Sequence, residues 1–466
     1  MTSGSARVRA VEVLRETLGR GGRATPLLAE KSRGLSPSDG DLMRRIVLGV
    51  LRTRSALDAE LAAACKPSLD RLVPGLREIL EVALYQIRHL DRVPAYAAVD
   101  EAVAHAKATG DEKAGGLVNA VLRNLLRRPP RADQIQNPKS KIQNSPADLS
   151  LRFSHPEFLV SRWLQRFGQE RAICVLEADN AGSPLDLVVN PRKTNRATLA
   201  RALAAEGVAT EPSSLSPLGL TVLAGHPLGS PLLAAGHFSV QDIGSQLLPL
   251  LLPPGDLLLD LAAAPGGKSF AALGLGRARR VACLDVSAGR LSRLVANRER
   301  LGMRQAFPVA ADVLALPFSA ATFHRILFDA PCSGTGTLRK NPEIRYRLTP
   351  QAIERLSRAQ ERGLGAAARL LEPGGYLLYA TCSLELEENE RVVERVLAAM
   401  PELEPAPIAA DDALRPFVAG NRFRILPGPT SDGFTAHLLR RRPEAARIIR
   451  GHPAEAREPD CAKGVN

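Results

Sequence analysis

Aromatic residues are scarce in this 466-residue chain: they make up 4% of it, with one tryptophan, so its cores must be built mainly from the aliphatic side chains within a 45% hydrophobic fraction. Long apolar runs are missing as well. Nothing approaches the ~20 consecutive apolar residues of a membrane-spanning helix, and Leu247–Leu252 is short and interrupted by Pro249. The first residues, Met1–Arg7, pass into a charged amphipathic segment without an apolar signal core. Six cysteines (Cys65, Cys174, Cys283, Cys332, Cys382, Cys461) lie far apart, with no Cys-x-x-Cys and no Cys/His cluster at metal-ligand spacing. Neither a zinc site nor a disulfide framework is indicated, and a reducing cytoplasm fits best. The eight histidines are scattered and suggest no catalytic base. A soluble, cytoplasmic, metal-free protein is expected.

What is present in excess is positive charge. Lys and Arg number 62 against 49 Asp and Glu, a net charge of +13, which favours a polyanionic partner. The excess is dispersed, so charge alone does not separate a nucleic-acid binder from an arginine-rich soluble protein. The length predicts more than one domain. Apolar residues at helical spacing (Val11, Leu14, Leu18; Leu42, Ile46, Val50; Leu76, Leu80, Leu84; Val99, Val103; Leu117, Val121, Leu125) predict an all-α domain over residues 6–128, punctuated by turn signals including Gly21-Gly22 and Gly115-Gly116. The polar stretch 129–148, opening on Pro129-Pro130, reads as a linker. Residues 149–245 read as a small α/β module: a short helix pair around Trp163, strands at Leu185–Asn190 and Leu218–Ala224, and a helix between them.

From residue 246 to 442 strands and helices alternate, as in a doubly wound parallel sheet. In such sheets ligands collect at the carboxyl ends of the strands. Here those ends carry Asp260, Asp285, Asp312, Asp329 and Cys382. The first is followed by Ala262-Ala263-Ala264-Pro265-Gly266-Gly267-Lys268, a glycine loop without the G-x-G-x-x-G form, and Asp285 stands where a ribose is gripped in nucleoside-binding sheets. The last residues, 443–466, form a tail that matches no pattern.

Taken in order and spacing, Asp260–Ser269, Asp285, Asp312, Asp329–Gly336 (Asp-Ala-Pro-Cys-Ser-Gly-Thr-Gly) and Tyr379–Leu384 (Tyr-Ala-Thr-Cys-Ser-Leu) resemble the motifs of the Nol1/Nop2/Sun family of RNA cytosine-5 methyltransferases. Phe238–Gln246 resembles that family's motif ahead of the cofactor loop, and Asp432-Gly433-Phe434 its C-terminal motif. The helical domain resembles NusB, an RNA-binding fold. The resemblance implies three parts: a NusB-like domain, an α/β RNA-recognition module, and a Rossmann-like class I methyltransferase domain. It also implies S-adenosylmethionine as cofactor and RNA, 16S ribosomal RNA in particular, as partner.

Position by position, the resemblance implies that Ala262–Lys268, Asp285, Asp312 and Asp329 contact the cofactor, with Asp285 on the ribose and Asp312 on the adenine side. It makes Cys382 the nucleophile and Cys332 the group that assists product release. Carbon 5 of cytosine is too weak a nucleophile to take a methyl group unaided, so a thiolate must first add to carbon 6; a second group is then useful when the thiol is expelled. Asp329 is also expected to hydrogen-bond to N3 of the flipped base. Thr381-Cys382 favours RNA, because DNA cytosine-5 methyltransferases place their nucleophile in Pro-Cys. A DNA methyltransferase and a noncatalytic NusB-like RNA-binding factor remain alternatives. Cys65, Cys174 and Cys283 are expected to be inert and buried. Asp312 could instead form a turn. The basic segment Arg339, Lys340, Arg345 and Arg347 is expected either to contact phosphate or to form a solvated surface.

Overall fold

Residues 5–66, 68–109, 112–127 and 144–443 are described by a computed structural model of the chain. The apolar stripes in the first third form helices α1 (Ala6–Arg20), α2 (Ala24–Lys31), α3 (Pro37–Ala64), α4 (Leu76–His89), α5 (Ala95–Ala108) and α6 (Glu112–Leu126). Local chemistry sets their ends. Ser36 caps α3 by accepting from the Asp39 N–H, with Pro37 in its first turn, and α1 stops at Gly21 in the left-handed region. Leu14, Ile46, Val50, Leu80, Leu84, Val118 and Leu122 share one buried core, which is why each of these helices needs an apolar face.

Two expectations require correction. Gly115-Gly116 is not a turn but lies within α6, where Gly115 is buried so closely that a Cβ would fall 2.6 Å from the Lys107 side chain of α5. The expected linker, 129–148, is outside the described residues up to 143, and its last part is helical: Ser145 caps a helix over Pro146–Phe153. Ser-Pro here starts a helix. Nearly all of the expected tail, from 444 on, also lies outside the described residues.

The expected helix pair is a trio, Pro146–Phe153, Glu157–Phe167 and Gln169–Asn180. An antiparallel sheet follows, β1 (Leu185–Val189), β2 (Ala209–Pro212), β3 (Gly219–Ala224) and β4 (Phe238–Val240), in the order β2-β3-β1-β4. β2 and β4 escape a periodicity reading because they span only 4 and 3 residues.

The last region is the anticipated sheet. β5 (Gly255–Asp260), β6 (Ala278–Asp285), β7 (Ala306–Ala310), β8 (Phe323–Asp329) and β9 (Leu371–Thr381) pair in parallel in the order β9-β8-β5-β6-β7. Past β9 the sheet turns antiparallel through β13 (Phe434–Arg441), β12 (Arg422–Ile425) and β11 (Val418–Ala419), with β10 (Leu403–Pro405) also paired to β13. Helices Gly267–Gly274 and Ala288–Leu301 bury one face of this sheet, and Pro350–Arg369 and Glu390–Ala399 the other. Covered on both faces, its central strands are almost continuously apolar, and chemistry is confined to their ends.

Candidate active site

The two expected thiols meet because their strands are neighbours. β8 and β9 run in parallel with Asp329 opposite Ala380, so the segments leaving them start side by side. Backbone bonds stitch these loops together: Ala330 N–H donates to Ala380 O at 2.8 Å, Gly336 N–H to Cys382 O at 2.9 Å, and Gly433 N–H to Gly336 O at 2.7 Å. A Cβ at Gly336 would lie 2.4 Å from the Gly433 carbonyl oxygen, so only glycine permits that approach. The result is a Cys332 Sγ to Cys382 Sγ distance of 3.2 Å, with both side chains partly buried and both thiols free.

Their surroundings differ in sign. The hydrogen bond to Cys382, followed by burial and the charges of Cys382, Glu388 and Asp329, raises the Cys332 thiol well above its ordinary range. On the other side Lys268 lies close enough to Cys382 for their charges to interact. Burial alone would lower the Lys268 ammonium, but Asp329, with which it forms an ion pair, and Cys382 outweigh that and raise it. A thiol raised well above its ordinary range thus stands in contact with Cys382, on whose other side lies the Lys268 ammonium.

At the neighbouring strand end, buried Asp260 accepts from Ser269 Oγ at 2.6 Å, tying the start of the glycine loop to the helix that follows it; burial pushes its carboxyl up to about 6. Gly266 sits at φ +106° and opens the helix Gly267–Gly274, leaving backbone N–H groups at a helix start. Asp285 Oδ1 accepts from Ser287 N–H and pairs with Arg290, both at 2.8 Å, while Oδ2 is buried without a partner. A ribose hydroxyl would satisfy that oxygen. Asp312 is exposed, and its Oδ1 accepts from Leu314 N–H at 2.9 Å, so it shapes its own turn whatever else it contacts. The Ala262–Lys268 loop, Asp285 and Asp329 therefore converge on the strand ends beside the two thiols and have the donors and acceptors to hold a nucleoside cofactor with a charged tail.

Both readings of the basic segment fail for its arginines 339 and 345, which are each 2% exposed. Arg339 pairs with Asp432 at 3.0 Å, and Lys340 with Asp432 at 3.1 Å and with Asp242. Arg345 donates to Asn180 Oδ1 at 2.7 Å and Asp179 O at 2.9 Å. The segment also reaches α3, with Tyr346 Oη donating to Leu51 O at 2.6 Å and Arg52 to Arg339 O at 2.8 Å. It is the buried junction of the helical domain, the helical trio and the catalytic sheet. Arg347 alone is exposed.

Cys174 is another correction: it is exposed, because it lies on the outer face of its helix, whereas Cys65 and Cys283 are buried. Sequence reasoning also missed Ser333, Ser383, Gln360, Glu388 and Asn389, which form a buried polar cluster behind the thiols. One signal was available: each motif cysteine is followed by serine. Among the described residues no group of three His, Cys, Asp or Glu side chains is placed to hold a metal, and no helix is long and apolar enough to cross a membrane.

The fold, the loop after its first parallel strand and the acidic strand ends define a methyltransferase of the nucleoside-binding α/β class. Residues 248–440 match the model described as 16S rRNA methyltransferase RsmB/F, residues 5–127 the NusB family, and residues 155–228 the ferredoxin-like domain of RsmF/B-like methyltransferases. The chain is 32% identical over 425 residues to the probable ribosomal RNA small subunit methyltransferase B of Bacillus subtilis, covering 88% of this chain and 93% of that protein. It is 34% identical to the ribosomal RNA small subunit methyltransferase B of Pasteurella multocida, over 87% of this chain and 90% of the relative. Among solved structures, that of PH0851 superposes with a TM-score of 0.77 at 25% identity, covering 93% of this chain and 98% of the other. A methyltransferase homolog from Pyrococcus horikoshii gives 0.55 at 29% identity, over 64% and 100%. The chain belongs to the ribosomal RNA small subunit methyltransferase B family.

Proposed function

We propose that this chain methylates carbon 5 of a cytosine in 16S ribosomal RNA, with S-adenosylmethionine as methyl donor, through a covalent adduct of Cys382 to carbon 6 of the base. The observation that carries this reading is the 3.2 Å contact of Cys332 with Cys382, with Lys268 beside Cys382 and carboxylates beside Cys332. A pair of inert cysteines has no need of such an asymmetry.

S-adenosylmethionine supplies an electrophilic methyl group when bound; the glycine loop Ala262–Lys268, Asp285, Asp312 and Asp329 are the residues that would hold it. Everything else falls to the side chains. Cys382 enters as the thiolate and adds to carbon 6, which places a negative charge on the base and makes carbon 5 nucleophilic. Asp329, fixed by Lys268, is set to orient the edge of a flipped cytosine. Once carbon 5 carries the methyl group, its proton passes to water as base, the electron pair of that C–H bond restores the carbon 5–carbon 6 double bond and expels the Cys382 sulfur as thiolate, and the Cys332 thiol, in contact with that sulfur, assists by donating a hydrogen bond to it as it leaves. Work of this kind requires reduced thiols, in keeping with a cytoplasmic location. Incubation with methyl-labelled S-adenosylmethionine and, in parallel, RNA and DNA tests the reading: label on carbon 5 of cytosine in RNA is expected, and label entering DNA alone would refute it.

A further inference from the structure

The cysteines are set by something behind them. Glu388 is fully buried at the turn that follows Thr381-Cys382-Ser383, and its carboxylate reaches both motif loops. Oε1 accepts from Ser333 N–H at 2.8 Å and from Gln360 Nε2 at 3.0 Å, and Oε2 accepts from the hydroxyls of Ser383, at 2.5 Å, and Ser333. Four donors converge on two oxygens, which suits an acceptor-only carboxylate. The same Gln360 amide also donates to Pro331 O at 2.9 Å, one residue before Cys332. Ser383, its hydroxyl hydrogen directed at Glu388, is free to accept from Glu385 N–H at 3.0 Å. Asn389 closes the turn by accepting from Thr381 Oγ1 at 2.7 Å and donating to Ser383 O at 3.0 Å.

Ser333 and Ser383 are each the immediate neighbour of a thiol-bearing residue. We infer that Glu388 is a positioning residue: by gripping both serines with one carboxylate it fixes the separation of Cys332 and Cys382, so that the Cys332 thiol meets the sulfur it must assist when the adduct breaks down. Gln360 extends the grip to the Pro331 side. This rests on the roles proposed above for the two thiols, but the geometric part stands apart from them. Any fold-stabilising role could be served by apolar packing at this buried place; a carboxylate bonded to the residues next to both thiols serves register between loops.

The test uses the full-length enzyme with Ser333→Ala, which keeps Glu388 and its other partners, and Glu388→Gln, which keeps the shape but turns an amide toward donors. Two readouts are taken on each protein after its thermal unfolding has shown it to be folded. The first is thiol proximity, measured as the rate at which diamide oxidises Cys332 and Cys382 to a disulfide; the thiols lose two electrons and two protons and the azo reagent becomes the hydrazine. The second is the fraction of enzyme trapped on RNA with S-adenosylmethionine present, seen by denaturing electrophoresis. Loss of a hydrogen bond to a charged group should lower the population of the thiol contact, and with it the disulfide rate, by roughly tenfold, and methylated adduct should accumulate, as is expected of Cys332→Ala. Wild-type disulfide rates and no adduct in either folded variant would overturn the inference. Slower disulfide formation in both, with no adduct accumulating in Cys332→Ala either, would uphold the positioning and refute the assigned roles of the thiols.

Discussion

Asp285 retains one buried oxygen without a partner, so Asp285→Ala should remove a hydrogen bond made to the cofactor and weaken S-adenosylmethionine binding by roughly 2–3 kcal/mol. Isothermal calorimetry checks this, and unchanged affinity would take Asp285 out of the site. Asp260 plays a different part. Its folded carboxyl is raised to about 6 by burial, while an unfolded aspartate titrates near ~3.9. The folded state therefore holds the proton more tightly. The stabilisation is complete below about pH 4 and is lost as pH rises through about 6, amounting to up to roughly 3 kcal/mol. Thermal unfolding of wild type should fall across that window relative to Asp260→Asn, whose amide does not titrate; parallel curves would show that the burial effect is absent.

The loops after β8 and β9 are held from behind by elements far away in the chain. Trp163 donates to Glu385 at 3.0 Å, and Arg345 is buried against Asp179 and Asn180. Arg345→Met would leave those acceptors without their donor in the interior, costing about 3 kcal/mol or more. Denaturant unfolding should show that loss; a cost below about 1 kcal/mol, the range of a surface pair, would mean that the junction is open to water. This junction was not legible beforehand. Arg339, Lys340 and Arg345 look alike in sequence whether they face phosphate or buried carboxylates, and their partners Asp432, Asp242 and Asp179 lie far off along the chain. Strands β5, β6 and β8 were legible because each ends in an apolar run closed by an aspartate. β2 was not, since its residues are mostly exposed and carry no alternation to read. Glu388 escaped notice for a related reason: in Glu387-Glu388-Asn389-Glu390 nothing local marks which carboxylate turns inward.

Across the molecule the +13 charge is spread, and the structure divides it into internal and outward-facing parts. In the helical domain Arg52 and Arg54 are used internally, Arg54 pairing with Glu81 at 2.9 Å, while Arg44, Arg45, Arg123 and Arg127 are exposed. Deleting the domain would strip Tyr346 of its partner on α3 and so confound RNA binding with damage to the catalytic side. Changing the four exposed arginines to glutamine avoids that. RNA affinity should fall, and the slope of log K against log salt should flatten by roughly 0.7–0.9 for each phosphate that is no longer neutralised. An unchanged slope would show that these arginines do not meet RNA.

The division of labour between the thiols is the centre of the account, and one gel decides it. With RNA and S-adenosylmethionine present, Cys332→Ala should form a methylated protein–RNA adduct that survives denaturing electrophoresis, because the nucleophile remains and release is impaired. Cys382→Ala should form no adduct and transfer no methyl group. An adduct in Cys382→Ala and none in Cys332→Ala would contradict the account and make the Pro-Cys thiol the nucleophile.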